Sequence, residues 1–161
     1  MSRSSFLRVV FWGVYVPVRT SISALSTRNS SRSAPLVYCL RAQAHQAKAL
    51  ALQGDDTSTL LEQHLSLALQ DISKVIQLDP QFAYAHYNQG NIYLQLKQYD
   101  QAIESYSHAI ETNPQLPDSY YNRAIAYIQT NQKEKALADF SRAGEMGIYQ
   151  AYSHIKKYSK E

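Results

Sequence analysis

The sequence predicts an all-α fold in which antiparallel helix pairs follow one another and a capping helix closes the C-terminus. Three observations predict it. Residues after about position 65 repeat at a spacing of 34, which corresponds to one supersecondary unit per repeat. Apolar and small residues recur at intervals of three and four, which places them on one face of a helix. Glycine and proline number only five each in 161 residues, so long loops are scarce.

Residues 1–35 differ in composition from the rest of the chain. They are rich in Ser and Arg, contain no acid, and include one apolar run from Val9 to Val18. This run is too short for a transmembrane helix, which needs about 20 residues. A basic start before a short apolar run is typical of a secretory signal, whereas the Arg/Ser bias suits an organelle transit peptide. We predict a targeting or disordered segment. An extension unrelated to the fold and a packed element are the alternatives.

Residues 36–80 are predicted to form a degenerate first repeat. The stretch LALQDISKVIQLDP matches a second helix, and the first helix is expected within LVYCLRAQAHQAKALALQ. The connection between them is longer than a usual turn, so the second helix should start early, near Thr59. The small residue at which the two helices approach each other is either Ala42 or Ala47. A third unit is expected because two repeats alone rarely bury enough surface to be stable.

Residues 81–114 and 115–147 are the two clearest units. In the second helices, a shift of 34 residues aligns small residues with small ones and large residues with large ones. The small set is Ala68, Ala102 and Ala136, and the large set is Ile72, Tyr106 and Phe140. It also aligns the first helices, pairing Tyr87 with Tyr121, Asn88 with Asn122, Gly90 with Ala124, and Tyr93 with Tyr127. The short connection LKQYD makes the paired helices antiparallel neighbours. Small residues facing large ones allow such helices to pack closely.

Residues 148–161 are predicted to form the capping helix. Gly144 and Gly147 end the preceding helix, after which Ile148, Tyr152 and Ile155 share one side of the next. Lysines near its end suit the negative pole of a helix.

This pattern resembles the tetratricopeptide repeat (TPR) family. The positions that carry the resemblance are Gly90, Tyr93, Tyr99, Ala102, Tyr106, Ala109 and Pro114 in one unit, and Tyr120, Ala124, Tyr127, Ala136, Phe140 and Ala143 in the next. The chain departs from the family pattern at His86, Gln89, Arg123, Lys133 and Ile148. The closing helix resembles the tail of bacterial TPR-containing proteins. The resemblance implies a superhelix of helix pairs and a non-catalytic protein interaction module.

No catalytic residue, cofactor or metal site is predicted. The chain has no Gly-x-Ser-x-Gly, His-Glu-x-x-His or Gly-rich phosphate loop. His64, His86 and His108 recur every 22 residues, which is not the structural period, so they are not expected to converge on a metal. Cys39 is the single cysteine and has no partner for an internal disulfide.

The resemblance implies that the first helix of each repeat lines a concave groove for a partner peptide or helix. The corresponding residues are Tyr84, Tyr87, Asn88, Asn91, Leu94, Asp118, Tyr121, Asn122, Ile125 and Ile128. Tyrosine offers apolar area with a polar tip, and asparagine can bond a peptide backbone. Alternatively, Asn88 and Asn122 only bond neighbouring helices. Some family members bind acidic chaperone tails through lysines, but Tyr87 and Asp118 occupy lysine places here.

Charge separates the alternative functions. Residues 1–54 hold seven Lys or Arg and no acid, whereas residues 55–161 hold nine against 13 Asp or Glu. A nucleic-acid partner is therefore not expected, because phosphate-binding surfaces need clustered cations. An RNA-binding helical repeat is the less favoured alternative. Self-association, in which the first repeat docks on another copy, is the other.

Overall fold

The computed structural model describes residues 30–51 and 58–159. Within them the chain forms seven helices: α1 Ser30–Ala51, α2 Ser58–Leu78, α3 Ala83–Gln95, α4 Tyr99–Thr112, α5 Pro117–Gln129, α6 Lys133–Glu145 and α7 Gln150–Tyr158. Most of the N-terminal segment, residues 1–29, lies outside the described residues, and so does the targeting prediction made for it.

The helices follow one another as three pairs and a closing helix. The most extensive contacts join α1 to α2, α3 to α4, and α5 to α6, while α7 packs on α6. Contacts between α2 and α3 and between α4 and α5 join each pair to the next. The described helices thus confirm the predicted all-α array of antiparallel helix pairs.

Helix α1 begins earlier than the composition of the chain indicates. It starts at Ser30 and contains Pro35, so it crosses the boundary placed after residue 35. The Ser, Arg and Ala residues of this stretch are compatible with a helix, and a change in composition does not mark a change in backbone conformation.

Three clusters of buried side chains form the core, one for each helix pair and its neighbour. Leu65, Ile72 and Val75 of α2 pack with Ile92 of α3 in the first cluster. Tyr106 lies in the second, and Phe140 in the third. Each cluster also contains several buried alanines. Small side chains let the helix axes approach while the large rings fill the remaining space.

One polar pair recurs in every repeat and sets the register of the first. It joins a residue of the first helix to a residue of the second: Arg41 with Asp71, Gln89 with Ser105, and Arg123 with Asp139. Because Gly90 and Ala124 directly follow the first-helix partners, Ala42 is the equivalent small residue. Ala42 is buried and Ala47 is exposed, so the structure decides between the two candidates.

This register makes the first helix pair longer than the others. Ala42 and Ala68 are 26 positions apart, whereas Gly90 and Ala102 are 12 apart. The additional residues lengthen α1 at its end and α2 at its start. Helix α2 begins at Ser58, one residue before the predicted position.

Candidate functional site

The ten predicted groove residues lie on two neighbouring first helices, five on α3 and five on α5. The structure divides them by exposure. Tyr84 and Asp118 are exposed, whereas Asn91, Leu94, Asn122, Ile125 and Ile128 are partly buried. Tyr87, Asn88 and Tyr121 are buried, with 6%, 4% and 8% of their surface exposed. Little of these three side chains is accessible to a partner. Tyr87 packs with Tyr106 of α4 and Ala126 of α5, and Tyr121 packs against Phe140 of α6 and His154 of α7.

A hydrogen-bond network beneath the face joins three helices. The Tyr106 hydroxyl of α4 donates to Asn91 Oδ1 over 2.8 Å. Asn122 Nδ2 of α5 donates to the same oxygen over 2.9 Å, and it lies 3.4 Å from the Tyr87 hydroxyl. Asn91 thus accepts from both neighbouring elements. Asn122 hydrogen-bonds a neighbouring helix, as the alternative interpretation of its role expected.

Burial changes the ionisation of the groups around this network. Desolvation raises the pKa of Tyr87 to about 12. It raises the pKa of Tyr106 well above the ordinary value as well. Both hydroxyls therefore keep their protons at neutral pH. Desolvation by nearby protein atoms also raises the pKa of the Asp118 carboxyl, the one acid among the ten groove residues.

Tyr121 connects the face to the closing helix. Its hydroxyl lies 3.0 Å from His154 Nε2 of α7. Its ring meets Phe140 edge-on at a centroid distance of 5.6 Å, and the His154 ring stacks on Phe140 at 4.8 Å. Burial and the nearby charge of Lys157 lower the pKa of His154. Tyr121 therefore stabilises the docking of α7.

Two residues of α7 occupy positions equivalent to predicted groove residues of α5. The 34-residue shift that pairs α3 with α5 also pairs Asp118 with Tyr152 and Asn122 with Lys156 on α7. Both α7 residues are exposed. The 34-residue spacing relates these positions in the sequence itself, although it predicts α7 only as a capping helix. On α1 the register set by Ala42 pairs Leu40 with Asn88, and Leu40 is 48% exposed.

The described residues provide no arrangement typical of catalysis. No group of three or more His, Cys, Asp or Glu side chains among them could hold a metal ion. Cys39 is buried, and desolvation raises the pKa of its thiol, which disfavours the reactive thiolate. Within the same residues, no helix has the length and apolar character needed to cross a membrane.

Comparison with sequence families agrees with this geometry. A family described as "TPR repeat" matches residues 90–131, and one described as "Tetratricopeptide repeat" matches residues 72–104. Residues 72–131 of this chain thus contain tetratricopeptide repeats. The matched regions cover α3, α4 and α5 completely, together with part of α2. Comparison with curated protein sequences gives no match.

Solved structures of other TPR proteins share the fold. The second TPR domain of human RPAP3, in complex with the HSP70 peptide SGPTIEEVD, has a TM-score of 0.63 at 18% identity, covering 79% of this chain and 99% of that domain. The TPR2B domain of yeast Sti1, in a complex with pHsp70, has a TM-score of 0.59 at 17% identity, with coverages of 75% and 98%. A thermophilic TPR protein from Thermus thermophilus, TTC0263, has a TM-score of 0.66 at 19% identity, with coverages of 77% and 63%.

Proposed function

We propose that this TPR protein is a non-catalytic interaction module that binds a peptide segment or helix of a partner protein on the face formed by its first helices. The observation that carries the proposal is the set of accessible side chains on α3 and α5. Tyr84, Asn91 and Leu94 belong to α3, while Asp118, Asn122, Ile125 and Ile128 belong to α5. They combine apolar surface with amide groups, which is what an extended or helical peptide requires.

Preorganisation supports this role. Asn91 and Asn122 are held by the network that includes Tyr106. Tyr87 and Tyr121 are buried beneath the face and support its helices. A surface that is rigid before binding loses less conformational entropy when the partner docks. The buried residues thus act by fixing the shape of the face, and the exposed residues act by contact.

The charge of the face indicates the kind of partner. Two of the similar TPR domains are in complexes with chaperone peptides. The HSP70 peptide that is bound to the RPAP3 domain ends in Glu-Glu-Val-Asp. In this chain Tyr87 and Asp118 stand where lysines would bind such an acidic end. The Asp118 carboxylate would repel it. The partner segment proposed here is therefore aromatic or aliphatic, with a basic residue placed opposite Asp118.

Selection from a random peptide library displayed on phage, using the full chain, would test the proposal. The expected sequences are apolar with one basic residue and no acidic end. Tyr84→Ser and Ile125→Ser should each weaken the selected peptide about tenfold, since burying a large apolar side chain contributes roughly 1.5–3 kcal/mol. Leu67→Ser on α2 is the matched control, because Leu67 is also exposed but belongs to a second helix. Equal losses in all three variants would contradict the proposal.

Self-association is a second candidate, and exposed apolar residues on the first repeat favour it. Val37 and Leu40 of α1 are both about half exposed, with no helix of the described chain packed over them. Sedimentation velocity at micromolar concentration would detect a dimer. Replacing both residues with Ser should convert that dimer to a monomer, and a monomeric wild-type protein would exclude this candidate.

A further inference from the structure

A polar cavity lies on the side of α3 opposite to the proposed peptide-binding face. It has a volume of about 420 Å³ and is formed by α2, α3 and α4. From α3 it is lined by His86, Gln89 and Tyr93. These residues recur at three- and four-residue spacing, half a turn away from Tyr84 and Asn88 on the helical wheel. The cavity is therefore separate from the candidate groove.

The equivalent space in the third repeat is filled by an arginine. Arg123 donates from Nε and Nη2 to the two carboxylate oxygens of Asp139 over 2.7 and 2.9 Å. Its Nη1 donates to Ser107 Oγ over 2.9 Å. The guanidinium carbon also lies 5.8 Å and 5.7 Å from the ring centres of Tyr120 and Tyr127. A carboxylate, a hydroxyl and two aromatic rings thus surround one guanidinium group.

The first repeat holds an arginine in a similar way. Arg41 donates from Nε to Asp71 over 2.6 Å and contacts the same carboxylate through Nη2. Its guanidinium carbon lies 5.4 Å from the ring centre of Tyr38. Tyr38 and Arg41 are three positions apart, as are Tyr120 and Arg123. Two of the three repeats therefore pair an arginine of the first helix with an aspartate of the second, although the Arg41 side chain is 57% exposed and the Arg123 side chain only 17%.

The second repeat lacks both the arginine and its aspartate, but it keeps the serine and one of the two tyrosines of the site. Five of the residues lining the cavity are the 34-residue equivalents of the Arg123 site: Gln89 for Arg123, Ser105 for Asp139, Ser73 for Ser107, His86 for Tyr120, and Tyr93 for Tyr127. Gln89 is shorter than arginine, and it accepts a hydrogen bond from the Ser105 hydroxyl over 3.2 Å. The cavity lies at the position in the second repeat that corresponds to the Arg123 guanidinium in the third.

The charge in the cavity matches a cation. Glu104 directly precedes Ser105 and is the one carboxylate among the described residues that line it, and this lining includes no Lys or Arg. A guanidinium group is planar and presents several N–H donors, and it stacks well on aromatic faces. Ser73, Gln89 and Glu104 supply acceptors, while His86 and Tyr93 supply rings.

We propose that this cavity binds a guanidinium group from outside the chain, as an arginine side chain or arginine itself. The ligand takes the place that Arg123 occupies in the next repeat. Its N–H groups donate to Gln89 Oε1 and Ser73 Oγ, its charge faces Glu104, and its plane lies beside Tyr93. This site does not depend on the peptide-binding role of the opposite face.

Isothermal titration of the full chain with N-acetyl-L-arginine amide would test the site. The isosteric neutral analogue N-acetyl-L-citrulline amide and the cationic N-acetyl-L-lysine amide are the matched ligand controls. Binding of the arginine compound at least tenfold tighter than both is expected. Titration with free L-arginine shows which form of arginine the cavity binds. If free L-arginine binds more tightly than the blocked compound, the ligand is the free amino acid. If it binds equally or more weakly, the ligand is an arginine side chain of a polypeptide.

Two variants connect the binding to the cavity. Glu104→Gln should weaken the arginine compound about tenfold, because it removes the negative charge that faces the guanidinium. Glu134→Gln, an exposed acid on α6, should change nothing. The double variant Gln89→Arg with Ser105→Asp recreates the third-repeat pair, so it should abolish binding while the melting temperature is kept or raised.

Three results would overturn the proposal. They are equal binding of the citrulline or lysine compound, unchanged affinity in Glu104→Gln, and unchanged affinity in a folded double variant. Circular dichroism of each variant confirms that the helices are intact before its affinity is interpreted. Absence of any heat with the arginine compound at millimolar concentration, together with unchanged NMR signals of the His86 and His108 rings, would also exclude the site.

Discussion

Gly90 on α3 lies against the ring of Tyr106 on α4. A Cβ atom built on Gly90 would be 2.6 Å from both Cδ1 and Cε1 of that ring. Tyr106 is fully buried, and its hydroxyl is held by Asn91, so the ring has no free direction in which to move. The absence of a side chain at Gly90 is therefore what lets the two helices pack at this distance.

Gly90→Ala should destabilise the protein. Overpacking in a core costs about 1–3 kcal/mol, although alanine recovers up to about 1 kcal/mol through its higher helix propensity. Urea denaturation followed by circular dichroism measures the free energy of unfolding. Gly144→Ala is the matched control, since its Cβ would meet the half-exposed Tyr152 ring at 2.9 Å, and that ring can swing towards solvent. The control should be neutral or stabilising.

Asn91→Ala should destabilise the protein by about 1–3 kcal/mol, because it leaves the buried Tyr106 hydroxyl without its acceptor. Tyr106→Phe removes the donor and is the second arm of a double-mutant cycle. The double variant should lose less than the sum of the two single losses. Strictly additive losses in urea denaturation would show that the two side chains do not interact.

Arg123→Ala should be among the most damaging substitutions in the described chain. The side chains of Arg123 and Asp139 are only 17% and 10% exposed, and breaking a buried pair costs about 3–5 kcal/mol. Arg142→Ala is the control, because its pair with Glu145 is about half exposed and such pairs contribute at most about 1 kcal/mol. Similar melting temperatures for the two variants would contradict this ranking.

Acid should weaken the docking of α7. His154 has a pKa below its ordinary value of 6.5, mainly because of burial, so the folded state favours the neutral ring. Its contribution to stability is complete above pH 6.5 and is lost as the pH falls through the lowered pKa. Thermal unfolding between about pH 7.5 and about pH 5 should show this decline. His154→Phe should show a smaller decline, whereas His108→Phe, changed at an exposed position, should keep the wild-type decline.

Lys97→Gly should stabilise the turn between α3 and α4. Lys97 has a φ of 58°, and the amide of Gln98 donates to the Tyr93 carbonyl over 2.9 Å, which closes the C-terminus of α3. A left-handed conformation costs a residue other than glycine about 1–2 kcal/mol. Replacing Lys97 with glycine removes part of this cost. Gly147→Ala, at a φ of 102°, should do the opposite. Urea denaturation of both variants checks the two signs.

Periodicity in the sequence was sufficient for the fold but only partly sufficient for the candidate site. The spacing of Tyr87, Gly90 and Tyr93 places them on α3, and the equivalent spacing does so on α5. Exposure depends instead on what the next pair of helices covers. The resemblance to the TPR family places Tyr87 and Tyr121 among the groove residues. In the structure neighbouring helices bury both side chains. The shift of 34 also relates Tyr152 and Lys156 of α7 to the predicted groove residues Asp118 and Asn122.

The sequence by itself determined the repeat period, the antiparallel helix pairs, the closing helix and the resemblance to the TPR family. These follow from local spacing, because apolar periodicity and short turns act within about 34 residues. Only the tertiary structure decided that Ala42 sets the register of the first repeat, that Tyr87 and Tyr121 are buried, and that the second repeat has a cavity at the position equivalent to Arg123. Each of these depends on contacts between separate helices, and the volume that side chains leave there is a property of the packed array.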